Sequence, residues 1–172
     1  MPRKSHPFWR FSLRVYARTG VERACLALQE AGADVNLLLF CCWQGSTGNT
    51  LDKASLRQAM QSVAAWQQQV VQALRQARLI SKRGYPGVPA DMGNSLSKLI
   101  AKAELDAEYL EQLVLFQLAS AVAQATPTLQ AGNIAAQNLI CYLDLLDLTV
   151  DAPIKQHLQV LSDATVGDRA SI

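Results

Sequence analysis

The chain has 172 residues, of which 50% are hydrophobic and 17% charged, with a formal net charge of +2. This length suits one domain that buries roughly two-thirds of its unfolded surface, so neither a metal nor a disulfide is needed to hold it together. No apolar run approaches the roughly 20 residues that cross a hydrocarbon core, so no transmembrane helix is predicted.

Ala, Leu and Gln are plentiful and β-branched and aromatic residues few, which favours helix over strand. The charge is unevenly spread. Residues 1–84 carry 12 Lys/Arg against 4 Asp/Glu, and residues 85–172 carry 4 against 10. The halves are expected to neutralise each other internally; the alternative is two oppositely charged surfaces. Cys25, Cys41, Cys42 and Cys141 form no C-x-x-C, and no secretory signal opens the chain, so free thiols and a cytoplasmic location are expected.

In chain order, Pro7 opens a first helix to about Arg18, with Trp9, Leu13 and Tyr16 on one face. Arg10, Arg14 and Arg18 recur at helical spacing as a basic stripe, read as a solvated face, with anionic-surface binding as the alternative. Gly20 separates it from a second helix over Val21–Ala31, which buries Val21, Ala24, Cys25 and Leu28. Asp34 then caps a short helix over Val35–Trp43, in which Asn36 alone is polar. A helix apolar on every side is buried on every side, so this segment is the predicted centre of the fold. The Asn36 amide needs a partner there. The polar cluster Gln44–Asn49 is read as the turn that ends it.

A long helical pattern runs from Asp52 to about Lys82, with a kink or break expected near Ser62. Leu56, Met60, Val63, Trp66, Val70, Leu74 and Ala77 mark its inner face, and Arg75, Arg78 and Lys82 form a second basic stripe. Gly84–Pro89 is the clearest loop. A further helix runs to about Gln124. Leu96, Leu99, Ala103, Leu110, Val114 and Leu118 are its expected buried side, and Glu104, Glu108 and Glu111 an acidic stripe on another. Antiparallel packing about the loop sets Arg75 opposite Glu104. Thr126–Thr128 is read as a break, residues 131–147 as another helix, and Pro153 to about Asp163 as the last, with Asp151 as its cap.

These patterns predict an all-α, single-domain bundle spanning residues 1–172, orthogonal or up-down, with six or seven helices around the buried helix at 35–44. The ends, 1–5 and 165–172, are expected to fray.

Signatures of chemistry are few. Gly45–Gly48 lacks the Lys and the order of a phosphate loop, and no G-x-S-x-G elbow occurs. Glu104, Glu108, Glu111, Asp144 and Asp147 are the best oxygen ligands for a hard cation, but they read as a solvated face. No metal or cofactor is therefore expected, and no catalytic residue is assigned. Two function classes remain open, and the first is preferred because nucleophile–base and metal signatures are both missing. One is a protein-interaction or regulatory module, whose partner is another protein or a second copy of the chain. The other is a small-ligand binder or helical enzyme with a pocket near Asn36, Trp43, Arg75, Arg78 and Glu104. Binding to an anionic surface, nucleic acid or membrane, resting on the Arg stripes alone, ranks third.

Phe8-Trp9-x-Phe11-Ser12-x(3)-Tyr16, then Gly20-Val21-x(2)-Ala24-Cys25-Leu26, then Asp34–Cys41 with Trp43, resembles a family of small proteobacterial proteins known as a domain of unknown function. Trp66, Leu74-Arg75 and Arg78 fit the same pattern, and the similarity is strongest over residues 6–83. The resemblance implies a bacterial, cytoplasmic, helical protein and carries no activity or site residue with it.

Overall fold

The computed structural model describes residues 6–120 and 131–166, and among these every regular element is a helix. They are α1 (Pro7–Tyr16), α2 (Val21–Glu30), α3 (Val35–Ser46), α4 (Lys53–Trp66), α5 (Gln72–Arg83), α6 (Ala90–Ser120), α7 (Ala131–Leu145) and α8 (Ala152–Val166). A π-helical turn, Gln67–Val71, joins α4 and α5 into one rod, so the helices make seven rods. This is the all-α bundle that the composition and periodicity predict. The break expected at Thr126–Thr128, and the ends expected to fray at 1–5 and beyond Val166, lie outside the described residues. α8 itself continues past Asp163 through Thr165, which is buried and donates its hydroxyl to Leu161 O.

The central helix is α3. Leu37, Leu38, Leu39, Phe40, Cys41 and Cys42 are all buried in succession. Asp34 caps it as expected, accepting a 2.8 Å hydrogen bond from Asn36 N through Oδ1. α7 packs along it most extensively, α8 next, and α1, α2 and α6 close the remaining sides. The helix does not stop at Gln44 but runs to Ser46, because Gly45 serves the packing rather than a turn. A Cβ at Gly45 would stand 2.5 Å from the backbone nitrogen of Ala135, so only glycine lets α7 approach this closely. Asn138 ties the loop after α3 to the core. Its Nδ2 donates to Cys41 O and Asn49 O, and its Oδ1 accepts from Leu51 N.

Two elements differ from the expected pattern, and both bear on the site. The first is the long rod, which has no break at Ser62; the irregularity is the π turn one to two turns later. A π turn absorbs one extra residue. The buried face therefore passes from Val63 to Val71, not to Val70, and beyond it Arg75 and Arg78 reach Glu104 of α6 while Leu74 and Ala77 are half-buried beside them. The second is α6, whose inner face is polar. Gly93, Ser97, Glu104, Ala107, Glu111, Gln112 and Leu115 are buried, whereas Leu96, Leu99 and Val114 are exposed. Of the expected leucine face, Leu96, Leu99 and Val114 lie outward, because α5 and α6 meet through ion pairs, whereas Leu110 is half-buried and Leu118 packs against the core as expected.

Candidate functional site

α1, α2, α3, α5 and α6 surround a cleft of about 710 Å3. Asn36, Arg75, Arg78 and Glu104 all line it, so the antiparallel α5–α6 hairpin and the central helix bring four of the five predicted site residues to one place. Trp43 is not among the lining residues. It lies on the same face of α3 as Asn36 but about 10 Å further along the axis. There its ring stacks on Phe8 at 5.0 Å and packs beside Phe40 and Phe116.

The deep side of the cleft is a chain of amides ending in a carboxyl. Asn36 Nδ2 donates to Glu111 Oε2 at 2.9 Å, and Gln112 Nε2 donates to Asn36 Oδ1 at 2.8 Å. All three side chains are buried. This answers the need of the Asn36 amide: both of its heteroatoms are bonded to α6, which adds a polar lock between α3 and α6 to the apolar contact of Trp43 with Phe116. With Gln112 Nε2 held by Asn36, Gln112 Oε1 is left as a buried acceptor that finds no partner in the protein. Ser12, from α1, lines the same cleft, and its Oγ is likewise buried without a partner.

Burial and the nearby Asp34 carboxylate push the Glu111 carboxyl up to about 9, so it is protonated at neutral pH. A protonated Glu111 is compatible with its burial, since a neutral acid escapes the cost of desolvating a charge. Asp34 joins the group from the other side, donating its backbone N–H to Tyr142 Oη at 2.9 Å.

The outer wall is an ion-pair network. Arg75 Nε donates to Glu104 Oε1 at 2.8 Å, its Nη2 to Glu108 Oε1 at 2.9 Å, and Arg78 Nε to Glu104 Oε2 at 2.5 Å. Desolvation raises the Glu104 carboxyl, but the hydrogen bonds and charges of Arg78 and Arg75 outweigh it and hold the group below its ordinary range. Glu108 goes the other way: desolvation, helped by the Glu104 charge, outweighs Arg75 and raises it. The second basic stripe is thus largely turned inward. Among its members Arg75 and Arg78 face acids, while Arg10 and Arg14 of the first stripe stand on the exposed side of α1.

Glu104, Glu108 and Glu111 do not converge with Asp144, which pairs with Lys53. Among the described residues no group of three metal-ligating side chains comes together. The thiols are also away from the cleft. Burial pushes Cys25 and Cys42 up to about 12 and Cys41 well above its ordinary value, which makes them poor nucleophiles. Sequence reasoning passed over Ser12 and Gln112. Ser12 carries a faint signal, a small polar residue among the buried Phe8, Trp9, Phe11 and Val15 of α1, whereas Gln112 lies on the polar inner face of α6 that periodicity does not pick out.

The family described as "Protein of unknown function (DUF2390)" matches residues 7–115 of the chain. The protein belongs to this family. The matched span runs further than the resemblance at 6–83 and contains every residue that lines the cleft, while α7 and α8 follow it. No curated protein and no solved structure matches the chain. No helix among the described residues is long and apolar enough to cross a membrane.

Proposed function

We propose that this DUF2390 protein is a binding module that takes a small ligand in the cleft between α1, α2, α3, α5 and α6. One observation carries the reading: Ser12 and Gln112 line the cleft, and their Oγ and Oε1 are buried and lack partners. A buried polar atom left unpaired costs about 1–3 kcal/mol, which a ligand's hydrogen bond would recover. The cleft's volume is that of small-molecule sites, and its mixture of apolar walls with a few fixed polar groups is typical of them. Its inner acids Glu104 and Glu108 are tied up by Arg75 and Arg78, and binding rather than catalysis is the reading. A bacterial cytoplasm is the expected setting, and the free, mostly buried cysteines support a reducing compartment.

The test is a thermal-shift screen of a diverse fragment set on the wild-type protein, repeated on Ser12→Ala and Gln112→Leu. Hits that stabilise the wild type and lose their effect in the variants support the reading. A screen whose hits are indifferent to both substitutions contradicts it.

A second reading, protein interaction, is favoured by the far end of the α5–α6 hairpin. Ile80, Tyr85, Val88, Met92, Leu96 and Leu99 are all exposed large hydrophobic residues on this hairpin. Apolar residues gathered in this way mark interaction surfaces more often than chance. Sedimentation of the wild type against Met92→Glu/Leu99→Glu tests self-association there: a monomer at all concentrations in both rules out a second copy as the partner.

A further inference from the structure

On the reading that the cleft is a ligand site, its own chemistry narrows what fits. Four acids line it, Glu22, Glu30, Glu104 and Glu108, against two bases, Arg75 and Arg78. Both bases are already spent. Arg75 spans Glu104 and Glu108, and Arg78 reaches Glu104 through both Nε and Nη2. An anionic ligand would have to break these pairs, and it would meet exposed Glu22 and Glu30 at the rim. The unpartnered atoms inside point the same way. Gln112 Oε1 can only accept, because its Nε2 is held by Asn36 Oδ1, whose own Nδ2 is held by Glu111. Ser12 Oγ can accept as readily as donate. The cleft therefore offers acceptors and negative charge to a newcomer, and no free cationic donor.

Around these polar groups the walls are apolar. Leu13, Leu26, Leu79 and Leu105 each line the cleft with about half of their surface still exposed, beside the Trp9 and Tyr16 rings. From this arrangement we infer that the ligand is a small amphiphilic amine: a protonated, donor-rich head that reaches Gln112 and Ser12, on an apolar body that covers the leucines. The head would gain charge-assisted hydrogen bonds in a partly desolvated site, and the body would remove apolar surface from water. The cleft's size admits one drug-sized molecule and not a folded segment.

The experiment is isothermal titration calorimetry with three matched probes, phenylbutylamine, phenylbutanol and phenylbutyrate, at low ionic strength. The wild type is expected to bind the amine at least tenfold more tightly than the alcohol, and the carboxylate weakest of the three. Glu22→Gln/Glu30→Gln changes only exposed residues and so keeps the fold; it should weaken the amine severalfold and leave the alcohol unchanged. Ser12→Ala should weaken the amine as well. Alcohol or carboxylate binding as tight as the amine, with loss in Ser12→Ala, overturns this inference and leaves the cleft a ligand site. An amine affinity indifferent to the Glu22/Glu30 pair overturns it too. Absence of binding by all three probes overturns the amine, and a fragment screen without cleft-dependent hits then overturns the ligand site itself.

Discussion

Asn36 and Glu111 lie 75 positions apart and meet through a 2.9 Å hydrogen bond in the interior. The pair joins the central helix to α6 and sets the polarity of the chain that ends at Gln112 Oε1. Because the Glu111 carboxyl sits at about 9 in the folded protein and near its ordinary 4.5 when unfolded, the native state holds more protons between these values. Stability is then full below about pH 4.5 and falls as pH rises toward 9. Glu111→Gln reproduces the protonated acid: its carbonyl accepts from Asn36, and its amide faces Asp34 as a donor. Chemical denaturation should find the variant more stable than wild type at pH 8, by on the order of 2 kcal/mol, and nearly equal to it at pH 5. A variant less stable at pH 8 would contradict a protonated Glu111.

Arg75 and Glu104 are coupled across the hairpin, with most of each side chain shielded from water. A double-mutant cycle with Arg75→Ala and Glu104→Ala should give a coupling of about 1–2 kcal/mol, above the range of exposed surface pairs. Glu104 is held below its ordinary range, so its share of stability is present above pH 4.5 and lost as pH falls below it. The coupling should therefore shrink in acid.

Gly45→Ala should lower stability by about 1–3 kcal/mol, as overpacking does. The added Cβ would stand 2.5 Å from Ala135 N and 2.6 Å from Ala135 Cα, and backbone atoms cannot turn aside as a side chain can. Thermal unfolding of the variant measures the loss, and an unchanged midpoint would show that α3 and α7 can part without cost.

The π turn predicts a tolerance. Deleting Gln68 removes the extra residue that the turn absorbs and lets an unbroken α-helix keep Arg75 and Arg78 on the inner face. The deletion should retain cooperative unfolding and the Arg75–Glu104 coupling. Loss of the coupling would show that the π geometry, rather than register alone, orients the arginines.

Much of this was legible in the sequence, for identifiable reasons. An apolar run too short for a membrane reads as a central helix, and α3 is one. A loop with two Pro and two Gly in six residues fixes the hairpin, and the hairpin fixes Arg75 opposite Glu104 by counting alone. The failures are also physical. Periodicity assumes one unbroken pitch, so it follows Val63 to Val70 and misses the residue that the π turn absorbs. Hydrophobicity assumes that leucines face inward, which holds for Leu118 at the core but turns the half of α6 that meets α5 the wrong way. There the partners are Arg75, Arg78 and Asn36, and the polar face is the buried one. Trp43 shares a face of α3 with Asn36, but two helical turns separate them and it lies outside the cleft. Ser12 and Gln112 become visible only when the unpartnered atoms of a folded interior can be identified.

The measurement that bears most directly on the cleft is a crystal structure of the protein with phenylbutylamine bound. The account predicts the amine nitrogen within hydrogen-bond distance of Gln112 Oε1 or Ser12 Oγ, the phenyl group against Leu13 and Leu79, and the Arg75–Glu104 pair unbroken. An amine held elsewhere on the molecule, with the cleft filled by its own leucines, would contradict it.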